Sequence, residues 1–231
     1  MNSNMNRRTL LKFGLGAAAS TIALAGSRAA TLGAACVGAT PPQTAGPFYP
    51  GEKLFHKDSD LTKVPGQTAK TLGQVIYITG KVQDLNCNPI EGALVEIWQA
   101  CASGKYNNPN DPNPAPLDPN FKYWGEASTD SQGEYMFKTI IPGEYKADEN
   151  WIRPPHIHYK IGKIGYNELI TQMYFKGNPL NEADLILDRV PHNEWDRVII
   201  DFQQATAGLE PSALMGRFDI TLTGVRRQKQ G

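Results

Sequence analysis

Histidine is scarce in this sequence, which holds four, and a surplus of either charge is missing: Lys+Arg and Asp+Glu number 23 each. Without a basic field the chain lacks the electrostatic footprint of a nucleic-acid binder, and without an acidic one it has none for cationic partners. The three cysteines, Cys36, Cys87 and Cys101, include no CxxC pair, which removes the common zinc-ribbon and dithiol redox arrangements. No glycine-rich dinucleotide fingerprint is present. Beyond residue 30 no stretch reaches the roughly 18 consecutive apolar residues of a membrane span. Helical periodicity is weak over the same region.

What is present begins with Asn6-Arg7-Arg8-Thr9-Leu10-Leu11-Lys12-Phe13, a small-residue and apolar run from Gly14 to Gly26, and Ser27-Arg28-Ala29. This reads as a twin-arginine export signal over residues 1–30, removed on the way to a periplasmic or secreted protein. Such export carries folded proteins, which suits an enzyme loaded with its cofactor before it crosses. Gly33-Ala34-Ala35-Cys36 offers a rival lipid-attachment site, against which stands Gly33 where a leucine is usual. The remaining chain of about 200 residues supports one domain with a single core.

Residues 31–74 are expected to be an irregular arm, because Pro41, Pro42, Gly46, Pro47 and Pro50 exclude regular helix or central strand. From 75 to 231 the pattern is one of short strands. Val75–Val82 and Ala93–Ala100 alternate and are β-branched about a turn at Asp84–Pro89, which reads as a hairpin. Gly125–Phe137 reads as two strands about Asp130-Ser131-Gln132-Gly133, and further strands are expected at His156–Ile161, Leu169–Phe175, Arg197–Phe202 and Gly216–Leu222. Between them runs a loop from Asn107 to Asn120 with five prolines and five asparagines, long enough to be functional. The fold class expected is all-β, a sandwich of mostly antiparallel strands. Cys87 lies in a turn and Cys101 past the following strand, so an extended run of about ten residues holds them roughly 30 Å apart. The expected disulfide joins Cys36 to one of the two and leaves the other free.

Arg153-Pro154-Pro155-His156-Ile157-His158 places two histidines at i and i+2 of a strand, where side chains share a face and can reach one metal ion. Imidazole suits iron, copper, zinc and nickel alike, so the pair does not name the metal. Tyr106 follows the strand that ends near Ala100, and Tyr145 closes Pro142-Gly143-Glu144-Tyr145 in the same manner. His56 and His192 lie in polar loop sequence and read as surface residues.

Together with Gln43-Thr44-Ala45-Gly46-Pro47-Phe48-Tyr49, Gly92–Ala100, Pro116–Phe121 and Arg217-Phe218-Asp219-Ile220, these segments make the chain resemble the intradiol ring-cleaving dioxygenases, the protocatechuate 3,4-dioxygenase group above all. The likeness runs from about Gln43 to Arg226. It implies a non-haem Fe(III) ion held by Tyr106, Tyr145, His156 and His158. Phenolates agree with this, since two anionic oxygens favour Fe(III) over Fe(II). It further implies active-site roles for Arg153 and Gln172 and for Tyr145 as the displaceable phenolate, with a catechol and O2 as substrates and a cis,cis-muconate as product. Trp98 and Gln99 read as structural supports. Two features depart from the group: Lys146-Ala147 stand where it has a proline and an aromatic, and the segment between Tyr145 and His156 is short. A homo-oligomer or a second kind of subunit, as in that group, is compatible with the sequence. Two other readings stay open on the residues alone. One is an exported, non-catalytic β-sandwich binding module. The other is a copper or zinc site needing a third ligand from His56 or His192.

Overall fold

The computed structural model describes residues 38–51, 58–205 and 209–225, all within one compact unit, so the expected export signal, Cys36 and His56 lie outside the described residues. Apolar side chains at every second position of the strands drive two five-stranded sheets together face to face. One sheet is built on the long strand β1 (Val75–Asp84), and the other contains β2 (Leu94–Trp98), β3 (Trp124–Ser128), β7 (His156–Gly162), β8 (Leu169–Phe175) and β9 (Ile199–Ile200) in the order β3-β2-β7-β8-β9. Beside β1 lie β4 (Glu134–Ile140), antiparallel, and β11 (Leu214–Arg217) and β12 (Ile220–Leu222), both parallel; β10 (Phe202–Gln204) pairs with β11. A separate two-stranded ribbon joins β5 (Tyr145–Asp148) to β6 (Trp151–Arg153). Antiparallel pairs predominate, as expected of the sandwich.

The turn read as a hairpin, Asp84–Pro89, is a corner instead, and so is the turn about Asp130–Gly133. β1 and β2 belong to opposite sheets, and so do β3 and β4. The Asp84 carboxylate shapes the first corner by accepting from Asn86 N at 2.8 Å and Asn88 N at 2.9 Å. Two single-strand expectations are likewise split. The region after Arg197 divides into β9 and β10 on different sheets, and the stretch from Gly216 breaks at Phe218-Asp219 into β11 and β12. At that break Phe218 turns fully into the core while Asp219 Oδ1 accepts from Lys81 N at 2.8 Å, a side-chain bond standing in for the interrupted ladder.

Ile76, Ile78, Val82, Phe137 and Ile220 meet Val95, Ile97, Ile157, Tyr159 and Met173 between the sheets, each all but excluded from water. Burial of one such side chain stabilises by about 1.5–3 kcal/mol. Because strand neighbours alternate faces, Trp98, His156, His158, Gln172 and Tyr174 must leave the second sheet on its other side. That outer face is roofed rather than solvated: the 40–49 arm, the 99–123 loop and the β5–β6 ribbon cover it, and both histidines are 2% exposed. Helix is confined to three short 3-10 segments among the described residues, Pro179–Ala183, Leu187–Arg189 and His192–Arg197. Cys87 is disulfide-bonded and Cys101 is a free, buried thiol, consistent with strands that hold these two apart.

Candidate metal centre

Strand register lays out one row across the second sheet: Trp124 opposite Trp98, Trp98 opposite His158, His158 opposite Gln172. His156 stands one step along, opposite Tyr174. The i, i+2 expectation therefore holds, and the two imidazole centroids are 4.9 Å apart. Trp98 lies flat against His158, 4.8 Å between centroids and 10° between planes.

The two tyrosines arrive from different loops that touch each other. Gly104 (φ 78) lets the loop after β2 approach the ribbon, where a Cβ would stand 2.3 Å from the Glu144 carbonyl; Gly143 makes the reciprocal approach, 2.5 Å from the Ala102 carbonyl. Tyr106 is then fixed by its own N–H, which donates to Asp111 Oδ2 at 2.7 Å. Tyr145 opens strand β5 rather than trailing a strand, and it is only half-buried, whereas Tyr106 is 3% exposed. The four rings surround one point: centroids are 5.7 Å apart for Tyr106–Tyr145, 6.1 Å for Tyr106–His158 and 5.8 Å for Tyr145–His156, and the Tyr106 hydroxyl is 3.2 Å from His156 Nε2.

The protonation chemistry fits a metal of high charge. Burial, reinforced by the Arg153 cation, holds His156 well below the ordinary histidine range; burial and then His156 and Arg153 do the same to His158. Both imidazoles are neutral and carry a lone pair. His156 Nδ1–H donates to the Pro154 carbonyl at 2.7 Å, which keeps the proton on Nδ1 and leaves the lone pair on Nε2. Burial pushes both phenols up, Tyr106 well above its ordinary value, with Arg153 opposing, so they ionise only against a strong cation. Among the described residues no three His, Cys, Asp or Glu side chains cluster to hold a metal ion, so a metal here needs the phenols. His192 supplies no further nitrogen: it is exposed and stacked on Trp195 at 4.2 Å.

Arg153 enters from β6 and is 4% exposed. It donates from Nη1 to His156 Nε2 at 3.0 Å, from Nη2 to Gln172 Oε1 at 2.8 Å and Tyr174 Oη at 3.2 Å, and from Nε and Nη2 to Asp184 at 3.1 and 2.8 Å. Gln172 is fully buried, and its other amide atom donates to the Thr44 carbonyl at 2.8 Å. In this arrangement Gln172 engages Arg153 and the arm. Gln99 ties Thr139 and Ile140 of β4 to the end of β2, a structural support as expected.

Sequence reasoning passed over the arm's closure of the site, Tyr174 and Asp184. Gln43 N donates to the Ile170 carbonyl at 2.8 Å, Phe48 packs 4.8 Å from the Tyr106 ring, and Tyr49 donates to Glu96 Oε2 at 2.9 Å. Tyr174 was reachable, standing two residues beyond Gln172 on the same strand face. Asp184 had no signal, since an acidic residue at the end of a short 3-10 segment ordinarily faces water.

A protein-family profile described as Dioxygenase matches residues 44–224. The protocatechuate 3,4-dioxygenase beta chain of Burkholderia cepacia is 42% identical over 181 residues, 77% of each chain. Catechol 1,2-dioxygenase of Candida albicans is 28% identical over 173 residues, which are 69% of this chain and 53% of that one. Among solved structures, the dioxygenase domain of a dioxygenase carbohydrate-binding protein fusion from Streptomyces sp. SirexAA-E matches with a TM-score of 0.62 at 26% identity, covering 81% of this chain and 100% of that one. The 3-chlorocatechol 1,2-dioxygenase of Rhodococcus opacus 1CP, at 23% identity and a TM-score of 0.62 over 80% of this chain and 72% of that one, has the same fold. With the profile spanning most of its length and two phenols facing two imidazoles at the expected positions, this chain belongs to the intradiol dioxygenase family.

Proposed function

We propose that the protein is a non-haem Fe(III) intradiol dioxygenase that opens a catechol between its two hydroxylated carbons, both atoms of O2 entering a cis,cis-muconate product. The observation that carries this reading is the convergence of Tyr106, Tyr145, His156 and His158 on one point beside a buried guanidinium. Held by those four side chains, Fe(III) would supply a Lewis acid that acidifies a catechol and withdraws electron density from its ring.

The remaining roles belong to the chain. Tyr106, buried and anchored by Asp111, is the permanent phenolate. Tyr145, half-buried on the ribbon, would be the displaceable phenolate, whose oxygen takes a substrate proton. Arg153 sets a fixed positive charge against anionic substrate in a site from which the arm and Phe48 exclude water. A metal held by His156 would take the lone pair that Nη1 now contacts, which would leave that donor free for substrate.

Protocatechuate is the substrate we favour, because the Burkholderia relative is named for it. Lys146, next to Tyr145 on β5, pairs across the ribbon with the exposed Ile152, on the face opposite Tyr145 and Arg153, and so lends that choice no support. The same relative is a beta chain, which supports a second subunit or a homo-oligomer, and the Arg7-Arg8 segment supports export to the periplasm. Iron-loaded protein given protocatechuate under 18O2 should yield an open-ring tricarboxylate, the substrate's own carboxylate plus two new ones, with one labelled atom in each new carboxylate. Recovery of unchanged substrate, or a product with one label, would remove the assignment.

A further inference from the structure

We propose that Asp184 is the positioning residue for Arg153: a buried carboxylate that grips the guanidinium from behind and turns one edge of it to the reacting centre. The inference rests on the dioxygenase reading for its catalytic consequence and on the geometry alone for the positioning itself.

Asp184 is fully buried, and both its oxygens face the same arginine, Oδ1 accepting from Nε at 3.1 Å and Oδ2 from Nη2 at 2.8 Å. A guanidinium gripped through Nε and Nη2 cannot rotate about its axis without breaking two charge-assisted bonds. Gln172 Oε1 and the Tyr174 hydroxyl also accept from Nη2. That leaves Nη1 as the edge facing His156 Nε2, at 3.0 Å.

The grip is itself anchored. Asp184 caps the 3-10 segment Pro179–Ala183 by donating its N–H to the Asn181 carbonyl at 3.2 Å; its own carbonyl accepts from Asp188 N at 2.9 Å; and Asn181 Nδ2 donates to the Phe175 carbonyl at the end of β8 at 2.9 Å. The carboxylate is therefore held by the strand that supplies Gln172 and Tyr174. Its charge matters as well as its shape. A buried guanidinium beside a metal ligand opposes a trivalent cation unless an anion cancels it, and Asp184 is the carboxylate in contact with it.

Two measurements separate positioning from mere support. In the metal-free protein, the Arg153 side-chain Nε–H, identified by its absence in Arg153→Lys, should appear downfield and protected from exchange. Asp184→Asn should abolish both properties. In iron-loaded protein at saturating iron, Asp184→Asn should keep the phenolate-to-Fe(III) band while kcat falls about 100-fold, the cost of a misaligned catalytic group. Arg153→Met should lower kcat comparably, and Arg153→Met/Asp184→Asn should be no slower than Arg153→Met alone. Should the single variant fold poorly, the double variant, which leaves no unpaired cation, still allows the comparison with Arg153→Met. Multiplying losses in the double variant, unchanged kcat in Asp184→Asn, or an Nε–H signal indifferent to Asp184 would each overturn the proposal. A wild-type iron protein without turnover would instead sink the dioxygenase reading, and the Nε–H signal would still decide whether Asp184 holds Arg153.

Discussion

Trp98 lies parallel to His158, 4.8 Å between ring centroids and tilted by 10°, on neighbouring strands whose register places the two residues directly opposite. Trp98 is 1% exposed, so the indole acts as a wall that fixes the plane of the imidazole. Groups that orient a metal ligand typically govern affinity by about 10–100-fold. Trp98→Leu should weaken iron binding on that scale, measured by competition with a chelator, and Trp98→Phe, which keeps a flat ring, should lose less.

The unequal burial of the two phenols predicts unequal phenotypes. Tyr106→Phe removes the buried, anchored ligand and should deplete iron from the purified protein. Tyr145→Phe removes the half-buried one and should retain iron, with turnover lower by about 100-fold or more through loss of the proton acceptor. Metal content and turnover measured on both variants check the distinction.

Gly104 tests how closely the two tyrosine loops must meet. It has φ 78 and would place a Cβ 2.3 Å from the Glu144 carbonyl, so Gly104→Ala meets both backbone strain and a rigid neighbour. The expected loss is about 2–4 kcal/mol in urea unfolding. Iron affinity should fall with it, because the displaced loop carries Tyr106.

Asp118 predicts part of the acid sensitivity. It accepts from Leu72 N at 2.8 Å, Thr71 Oγ1 at 2.9 Å and Asn120 N at 2.8 Å. Burial raises its pKa, but these donors outweigh burial and hold it below the usual carboxylate value. A depressed folded-state pKa means stability that is present above the unfolded value, about 3.9, and lost as pH falls through the folded one. Asp118→Asn should cost about 1–3 kcal/mol at neutral pH and flatten the acid limb of the stability curve, measured by urea unfolding between pH 7 and the acid transition.

Period-two alternation is written in β7, where Ile157, Tyr159 and Ile161 alternate with polar residues and so put His156 and His158 on one face, whereas β8 was legible to its end residues as a short apolar and β-branched run, being covered on both sides. It says which side is buried and nothing of which strand lies alongside, which is why β1 and β2 read as a hairpin though they belong to opposite sheets. The β5–β6 ribbon left no such pattern, since Lys146, Ala147 and Asp148 are all exposed. Tyr145 and Arg153 were found instead through resemblance to a family. Asp184 needed the fold, because only the chain's path after β8 brings that carboxylate under Arg153.

The central claim is tested most directly by the visible spectrum of iron-loaded protein, before and after anaerobic addition of protocatechuate. The account predicts a phenolate-to-Fe(III) charge-transfer band that moves to longer wavelength when the catechol binds. A colourless protein holding stoichiometric zinc or copper, or no metal, would contradict it.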